Sequence, residues 1–300
     1  MLEQVDTIKS RLDNIPEILN RFRQSVLADA VSGKLTANWR KTNLSSQFLV
    51  DQPAINEFRG KKLSILPEKW QWLKFDQVAV VASSLQDPLL TPDAIHIAPN
   101  HIQSGTGQLL EYTTILEDKV TSAKHRFYSG QILYSKIRPY LCKVVRADFT
   151  GLCSADMYPI NSKINTQFLF RWMLSNQFTD WASNGESRSV LPKINQKDLG
   201  KIPVPTPPLK EQTEIVTQVE KLFTYADKIE QQVKEAQTRV DNLTQSILAK
   251  AFRGELTADW RAENPDLISG ENSAAALLAR IKAEREKLAP AKKIRKKSKV

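Results

Sequence analysis

The chain has 300 residues, of which 41% are hydrophobic and 25% are charged, and its formal net charge is +10. This length allows one or two domains with a sizeable core. No apolar run is long enough to predict a membrane span, and Met1 opens no secretory signal. Cys142 and Cys153 form no CxxC pair and have no histidine at ligand spacing. We therefore expect two buried free thiols, no disulfide scaffold, no zinc site and a reducing cytoplasm.

The beginning of the chain is repeated near its end. Residues 24–40 (QSVLADAVSGKLTANWR) and 245–261 (QSILAKAFRGELTADWR) are identical at eleven of seventeen positions. The offset of 221 extends back without a gap, so that the two copies occupy residues 1–40 and 222–261. Residues between the copies have a different composition and no internal repeat. The sequence therefore predicts a helix, a globular domain and a second, matching helix.

Apolar residues in both copies recur at alternating spacings of three and four. In the first copy they are Val5, Ile8, Leu12, Ile15, Leu19, Phe22 and Val26. In the second they are Ile215, Val219, Leu222, Ala226, Ile229, Val233, Ala236, Val240, Leu243 and Ile247. This heptad seam predicts a coiled coil, in which the two helices pack on each other or each packs on another chain. A helix of about 40 residues would be roughly 60 Å long, on the order of 18 base pairs of DNA.

Single residues refine the two predicted helices. Gly33 and Gly254 are expected to end them, because glycine adopts the left-handed conformation without a Cβ clash. Pro16 should either kink the first helix or restart it. A short apolar segment ending at Trp39 or Trp260 follows each glycine.

The middle of the chain predicts a strand-rich domain. Residues 41–65 are polar and indicate a linker with a short helix. The domain proper occupies residues 66–208. Its predicted strands are 77–82, 131–134, 141–145 and 157–160, and its predicted helix is 167–176. Four prolines in residues 202–208 make a stiff extended segment, so that the second helix can begin at Leu209.

Positive charge is concentrated in two places. The last ten residues carry six of the Lys and Arg side chains and are expected to be a solvated tail. Residues 119–146 carry seven and no acid, interleaved with aromatic residues. Such a run can neutralise phosphates and reach base edges, or it can be an ordinary solvated surface. The candidate DNA-contacting residues are Lys124, Arg126, Lys136, Arg138, Tyr140, Lys143 and Arg146, with Arg188 from the polar loop 183–189.

Catalytic motifs are scarce in this sequence. It has no P-loop, no dinucleotide-binding turn, no GxSxG and no HExxH. One nuclease-like pattern occurs, in which Asp93 is followed by Glu117 and Lys119; such residues can hold a metal and a water molecule. We expect no catalytic residues, no bound cofactor and no metal in this chain. A solitary nuclease and a protein-interaction scaffold remain as alternative functions.

Four passages together resemble the specificity subunits of type I restriction–modification systems. They are RFRQSVLADAVSGKLTANWR at 21–40, GQILYSKIRPYLCKVVRADFTGLCSADMYPI at 130–160, KINQKDLGKIPVPTPPLKEQTEIVTQVEKLF at 193–223, and residues 243–287. The PPLKEQ run and the paired GxLTAxWR motif are specific in combination. The resemblance covers nearly the whole chain.

This resemblance implies an α+β protein with one mixed α/β target-recognition domain on two long helices in an antiparallel coiled coil. The family's subunits carry two such domains and this sequence carries one, which suggests a half-size form or part of a longer subunit. The implied organisation is residues 1–40, first conserved helix; 41–65, linker; 66–208, recognition domain; 209–261, second conserved helix; and 262–300, short helix and basic tail.

The resemblance also implies the partners. Double-stranded DNA would bind the recognition domain, and a methyltransferase subunit and a restriction/translocase subunit would dock on the helices. S-adenosylmethionine would bind the methyltransferase subunit, and this chain would be non-catalytic. A half-size subunit is expected to form a homodimer through its conserved helices. No membrane partner is expected.

Overall fold

In the computed structural model, residues 2–43, 52–183 and 192–288 are described. They form two compact units, which are taken separately: residues 14–232, and residues 1–13 together with 233–300. The helices are α1 (Leu2–Ser32), α2 (Ala37–Thr42), α3 (Phe75–Val78), α4 (Thr166–Met173), α5 (Asn176–Ser183), α6 (Gln196–Gly200), α7 (Leu209–Phe252), α8 (Ala258–Glu263) and α9 (Ala274–Leu288). None of them is both long and apolar enough to cross a membrane.

Thirteen strands are present among the same residues. They are β1 (Glu57–Phe58), β2 (Lys61–Lys62), β3 (Gln71–Lys74), β4 (Ala79–Val81), β5 (Leu85–Gln86), β6 (Ile95–Ile97), β7 (Thr113–Thr114), β8 (Lys124–Phe127), β9 (Ile132–Ser135), β10 (Val144–Arg146), β11 (Gly151–Cys153), β12 (Met157–Ser162) and β13 (Pro203–Thr206).

The middle domain contains two main sheets. One is antiparallel and has the order β10-β9-β12-β4, and the other has the order β5-β8-β11-β6-β7 with one parallel pair, β11 and β6. Strands β13 and β3 pair antiparallel and bring the two ends of the domain together. The predicted α+β class with a mixed, strand-rich middle domain is confirmed.

The larger core cluster lies in the unit of residues 14–232. Aromatic side chains dominate it, and Trp172 contacts Trp72, Phe178 and Trp181 with ring centroids 5.7 to 6.3 Å apart. Val26, Leu27, Ala30 and Val31 of α1 belong to the same cluster. The end of α1 is thus part of the core of the domain.

The long helices run antiparallel within each unit. In residues 14–232, Arg23 contacts Asp227 at 2.7 Å and Glu230 at 2.9 Å. In the other unit, Lys9 contacts Asp241 at 2.8 Å, and Gln237 donates to Asp13 at 2.8 Å. The predicted antiparallel pairing within one chain is confirmed. Of the seam positions, Ile8 and Leu243 are about half exposed, so the heptad pattern overstates burial there.

Several local predictions were wrong. Helix α1 continues through Pro16, so no new helix starts there; a proline within a helix removes one backbone donor without necessarily ending it. Residues 75–78 form a helical turn, and the predicted strand 77–82 is reduced to β4. The described part of the linker contains the hairpin β1–β2, whose turn at Arg59 and Gly60 has positive φ at both residues, as a type I′ turn requires.

Other predictions were correct. Gly33 and Gly254 follow the ends of α1 and α7 with φ of 78° and 73°. Helix α7 begins at Leu209, directly after the proline-rich segment, part of which is β13. A short helix, α9, lies in the C-terminal region. The basic tail lies outside the described residues.

A buried carboxylate explains the PPLKEQ motif. Glu211, with a side chain 3% exposed, accepts hydrogen bonds from the Thr36 hydroxyl at 2.7 Å and the Trp70 indole at 2.9 Å, and forms an ion pair with Arg40. Arg40 also donates to the carbonyl of Gly33 at 2.6 Å. Three distant segments are therefore joined at one carboxylate: the turn after α1, the entrance to the middle domain and the start of α7.

We expect Glu211→Ala to lower the free energy of unfolding by about 3 kcal/mol or more, because it leaves the Arg40 and Trp70 donors without their shared acceptor. Thr36→Val removes one donor and should cost about 1–3 kcal/mol. Urea denaturation measures both changes. The exposed Glu111→Ala is the control and should change stability by less than about 0.5 kcal/mol. Equal effects of Glu111→Ala and Glu211→Ala would contradict this role of the carboxylate.

Candidate nucleic-acid interface

The acid-free run folds into β8, β9 and β10, and its cations differ in exposure. In β8, Arg126 is exposed between the buried His125 and Phe127. Its guanidinium lies 5.1 Å from the ring centroid of Tyr128, which is 50% exposed. This stacking holds a cation and an aromatic face together at the surface, where both can contact a nucleic acid.

A polar groove of about 560 Å³ lies beside this pair. We call it the 126–128 groove; its lining includes Ser83, Ser84, Arg126, Tyr128, Gln131 and Asn161. Gln131 donates to Asn161 at 2.8 Å and accepts from the backbone N–H of Tyr128 at 2.8 Å, which fixes both amides. Fixed amides and hydroxyls beside a cation are the groups that read base edges.

The second exposed cation lies in a turn after β9, which we call the 136–140 turn. Arg138 adopts the left-handed conformation with φ 48° and precedes a 3-10 turn at Pro139–Leu141. Its backbone N–H donates to the carbonyl of Pro192 at 2.8 Å. The Lys136 ammonium lies 5.5 Å from the ring centroid of Tyr158. Because the backbone is fixed on both sides, the turn presents Arg138 and Tyr140 at the surface, Tyr140 with 54% exposed.

Other candidates serve the protein itself. The ammonium of Lys124, a residue only 7% exposed, donates to the carbonyl and hydroxyl of Ser122 at 2.8 and 2.6 Å. Burial lowers the pKa of Lys124. Lys143 is half-buried and donates to the carbonyl of Pro99 at 2.6 Å. Arg146 is half-buried in β10. These positions suit a structural role better than DNA contact, and Arg188 lies outside the described residues.

The nuclease-like pattern does not assemble a metal site. The Glu117 carboxylate accepts from the backbone N–H and hydroxyl of Thr114 at 3.0 and 3.1 Å, which makes it part of a local turn. In the described part of the chain, the residues that could share a metal ion are His96, His101 and Asp118. Asp93 is not among them. The alternative of a nuclease built on Asp93, Glu117 and Lys119 is therefore not supported.

Sequence reasoning missed the polar lining of the 126–128 groove. Ser83 and Ser84 follow β4, Gln131 precedes β9, and Asn161 lies in β12. No spacing along the chain links them, because the pairing of β12 with β4 and β9 brings them together. Ordinary alternation in β12 was the one available signal, and it does not identify a partner.

Comparison with known proteins identifies the class. The family model "Type I restriction modification DNA specificity domain" matches residues 89–237. The type I restriction enzyme EcoDI specificity subunit of Escherichia coli is 66% identical over 299 residues, which cover 99% of this chain and 67% of that protein. The EcoKI specificity subunit of Escherichia coli (strain K12) is 40% identical over 99% of this chain and 62% of its own length.

Solved structures agree on the fold. The HsdS subunit from Thermoanaerobacter tengcongensis matches 62% of this chain and 50% of its own with a TM-score of 0.51 and 25% identity. A chain from a structural study of complex assembly in the type I R-M system matches 84% of this chain with a TM-score of 0.51 and 18% identity. This chain belongs to the family of type I restriction–modification specificity subunits. It spans about two thirds of the length of the EcoDI relative.

We expect Arg138→Gly to raise the free energy of unfolding by about 1 kcal/mol, because the left-handed conformation is strained for arginine and free for glycine. Urea denaturation checks this. Arg146→Gly, in an extended strand, is the matched control and should lower stability by about 0.5–1 kcal/mol or more. A loss of stability in Arg138→Gly would mean that the arginine side chain supports the turn.

Proposed function

We propose that this chain is a DNA-reading subunit that recognises one half of a bipartite site and positions methyltransferase and restriction subunits. The observation that carries the proposal is a rigid mixed domain that exposes Arg126 and Arg138 and is fastened at Glu211 to a long antiparallel helical pair. The family membership supports the same function.

In this proposal the recognition domain uses two kinds of contact. Arg126 and Arg138 approach phosphates or guanine edges, and the fixed Gln131 and Asn161 amides of the 126–128 groove read adjacent bases. Lys136 adds charge beside Arg138. The buried Lys124 makes no direct contact.

Catalysis in this proposal belongs to the partners. The methyltransferase subunit would bind S-adenosylmethionine, and the restriction/translocase subunit would cut DNA. This chain then contributes no catalytic residue and acts in the cytoplasm, where the buried free thiols of Cys142 and Cys153 remain reduced.

The DNA assignment predicts a specific salt effect. In the complex with its methyltransferase subunit, Arg126→Ala and Lys136→Ala/Arg138→Ala should weaken binding to duplex DNA selected by that complex. Because each lost phosphate contact releases fewer counterions, the slope of log K against log salt should become shallower by about 1 per contact. Lys124→Met, two residues from Arg126 in the same strand, should leave the slope unchanged. An unchanged slope in Arg126→Ala and in the double variant would remove the assignment.

We further propose that the second copy of the repeat binds a second copy of this chain. In the first copy, Leu27 and Thr36 are buried against the middle domain. At the matching positions of the second copy, Leu248 is 41% exposed and Thr257 is exposed; nearby, Phe252 is 90% exposed. Several large apolar residues remain exposed along this copy: Leu243, Leu248, Phe252, Leu256 and Trp260. A contiguous apolar surface of this kind supports an isologous contact between two chains.

The homodimer predicts that Phe252→Ala leaves thermal stability unchanged, because the side chain is exposed, and shifts the molar mass by light scattering from dimer to monomer. Removing a large apolar side chain from such a contact raises the dissociation constant by about 10-fold or more. Lys250→Ala on the same helix is the control and should remain dimeric. A wild-type monomer at all concentrations, or a Phe252→Ala dimer as tight as wild type, rules out this surface as the contact.

A further inference from the structure

Two buried imidazoles and a carboxylate converge at the β6–β7 end of the five-stranded sheet. His96 lies in β6, His101 closes the 3-10 turn Pro99–His101, and Asp118 lies in the turn that follows β7. One nitrogen of each histidine and one carboxylate oxygen all lie within 4.8 Å of one another. The group is separate from the 126–128 groove and the 136–140 turn.

The donor atoms face a common point. The Asp118 Oδ2 atom lies 2.6 Å from His96 Nδ1 and 3.9 Å from His101 Nε2. The two histidines are 6% and 8% exposed, whereas the Asp118 side chain is 31% exposed. Small side-chain rotations would bring all three atoms to the 2.0–2.2 Å that zinc requires and leave one position open to water.

Hydrogen bonds around the group favour the required tautomer of His101. Its Nδ1 lies 3.1 Å from the carbonyl of His96 and can donate to it, which leaves the lone pair on Nε2 facing Asp118. Ligating histidines commonly donate their other ring nitrogen to a backbone carbonyl in this way. In the other tautomer, Nδ1 accepts from the N–H of Ala98 at 3.2 Å. A metal on Nε2 would select the first tautomer.

The cluster is incompletely satisfied by its own hydrogen bonds. His96 Nε2 is buried and makes no hydrogen bond. Burying an imidazole with a free polar atom has a cost, and a metal–nitrogen bond on the same ring offsets it. Lys124 is the nearby opposing charge, but its ammonium is held by Ser122.

We propose that His96 Nδ1, His101 Nε2 and Asp118 Oδ2 bind one divalent transition-metal ion of the zinc class. Two imidazole nitrogens and one carboxylate oxygen suit Zn²⁺ or Co²⁺ rather than Mg²⁺ or Ca²⁺, which take oxygen ligands. The ion replaces the proton between His96 and Asp118, so that binding releases one proton. Water occupies the fourth position.

The proposed ion is structural. It fastens the Asp118 turn to β6 and to the 3-10 turn that begins at Pro99. The Pro99 carbonyl accepts the hydrogen bond from Lys143, so the same ion would stiffen one support of the basic surface. Absence of cysteine ligands explains why cysteine spacing gave no indication of this site.

The test uses the untagged full chain, freed of metal with a chelator and titrated with Co²⁺ alone. We expect one equivalent to bind with the visible absorption of four-coordinate Co²⁺, and Zn²⁺ to displace it. Added Zn²⁺ should also raise the melting temperature of the metal-free chain, because it binds the folded state.

Asp118→Asn keeps a hydrogen-bond acceptor for His96 at an exposed position and removes the anionic ligand, so it should fold and lose Co²⁺ affinity by about 100-fold. His101→Ala should abolish the visible absorption. The exposed Asp93→Asn is the matched control and should bind as wild type does. No stoichiometric binding by the wild type, or equal binding by wild type and Asp118→Asn, would overturn the proposal. Neither outcome bears on the DNA-reading role, which the salt slope tests separately.

Discussion

The structure depends on one buried carboxylate. Glu211 collects a hydroxyl, an indole and a guanidinium from parts of the chain that lie far apart in sequence. An ionised carboxylate in such a place is unstable unless each oxygen is paired, so the three donors and the acceptor must be present together. Gln212, the next residue, donates to the Pro207 carbonyl and accepts from the Asn165 backbone N–H, which adds a neutral link to α4. The position of the middle domain at the end of α1 is thereby fixed by polar groups, beside the apolar contacts that supply most of the burial.

Much of this fold could be predicted because its signals are local. Heptad spacing predicted α1 and α7, and glycine predicted where each ends. Prolines predicted the start of α7, since they cannot supply the backbone donors of a helix interior. Predictions failed where a tertiary contact prevails over a local pattern. Residues 75–78 look like the start of a strand, yet Phe75 and Val78 are buried as a helical turn.

The candidate site was predicted less well than the fold, and exposure is the reason. Charge along the chain identified the basic run, but it could not separate Arg126 from Lys124, because both lie on one strand and only one is exposed. The groove beside Arg126 is assembled from several strands and has no signature in sequence. His96, His101 and Asp118 converge only after β6 and the turn beyond β7 are folded.

The division between engaged and exposed cations has a consequence for how this protein can change. Lys124 and Lys143 are bound to neighbouring backbone carbonyls, so replacing either disturbs the fold. Arg126 and Arg138 project from a backbone that is held by other residues. Substitutions at the exposed pair can therefore be sampled at little cost in stability. The domain combines a robust scaffold with an evolvable surface, and a lineage can acquire a new specificity there without first acquiring a new fold.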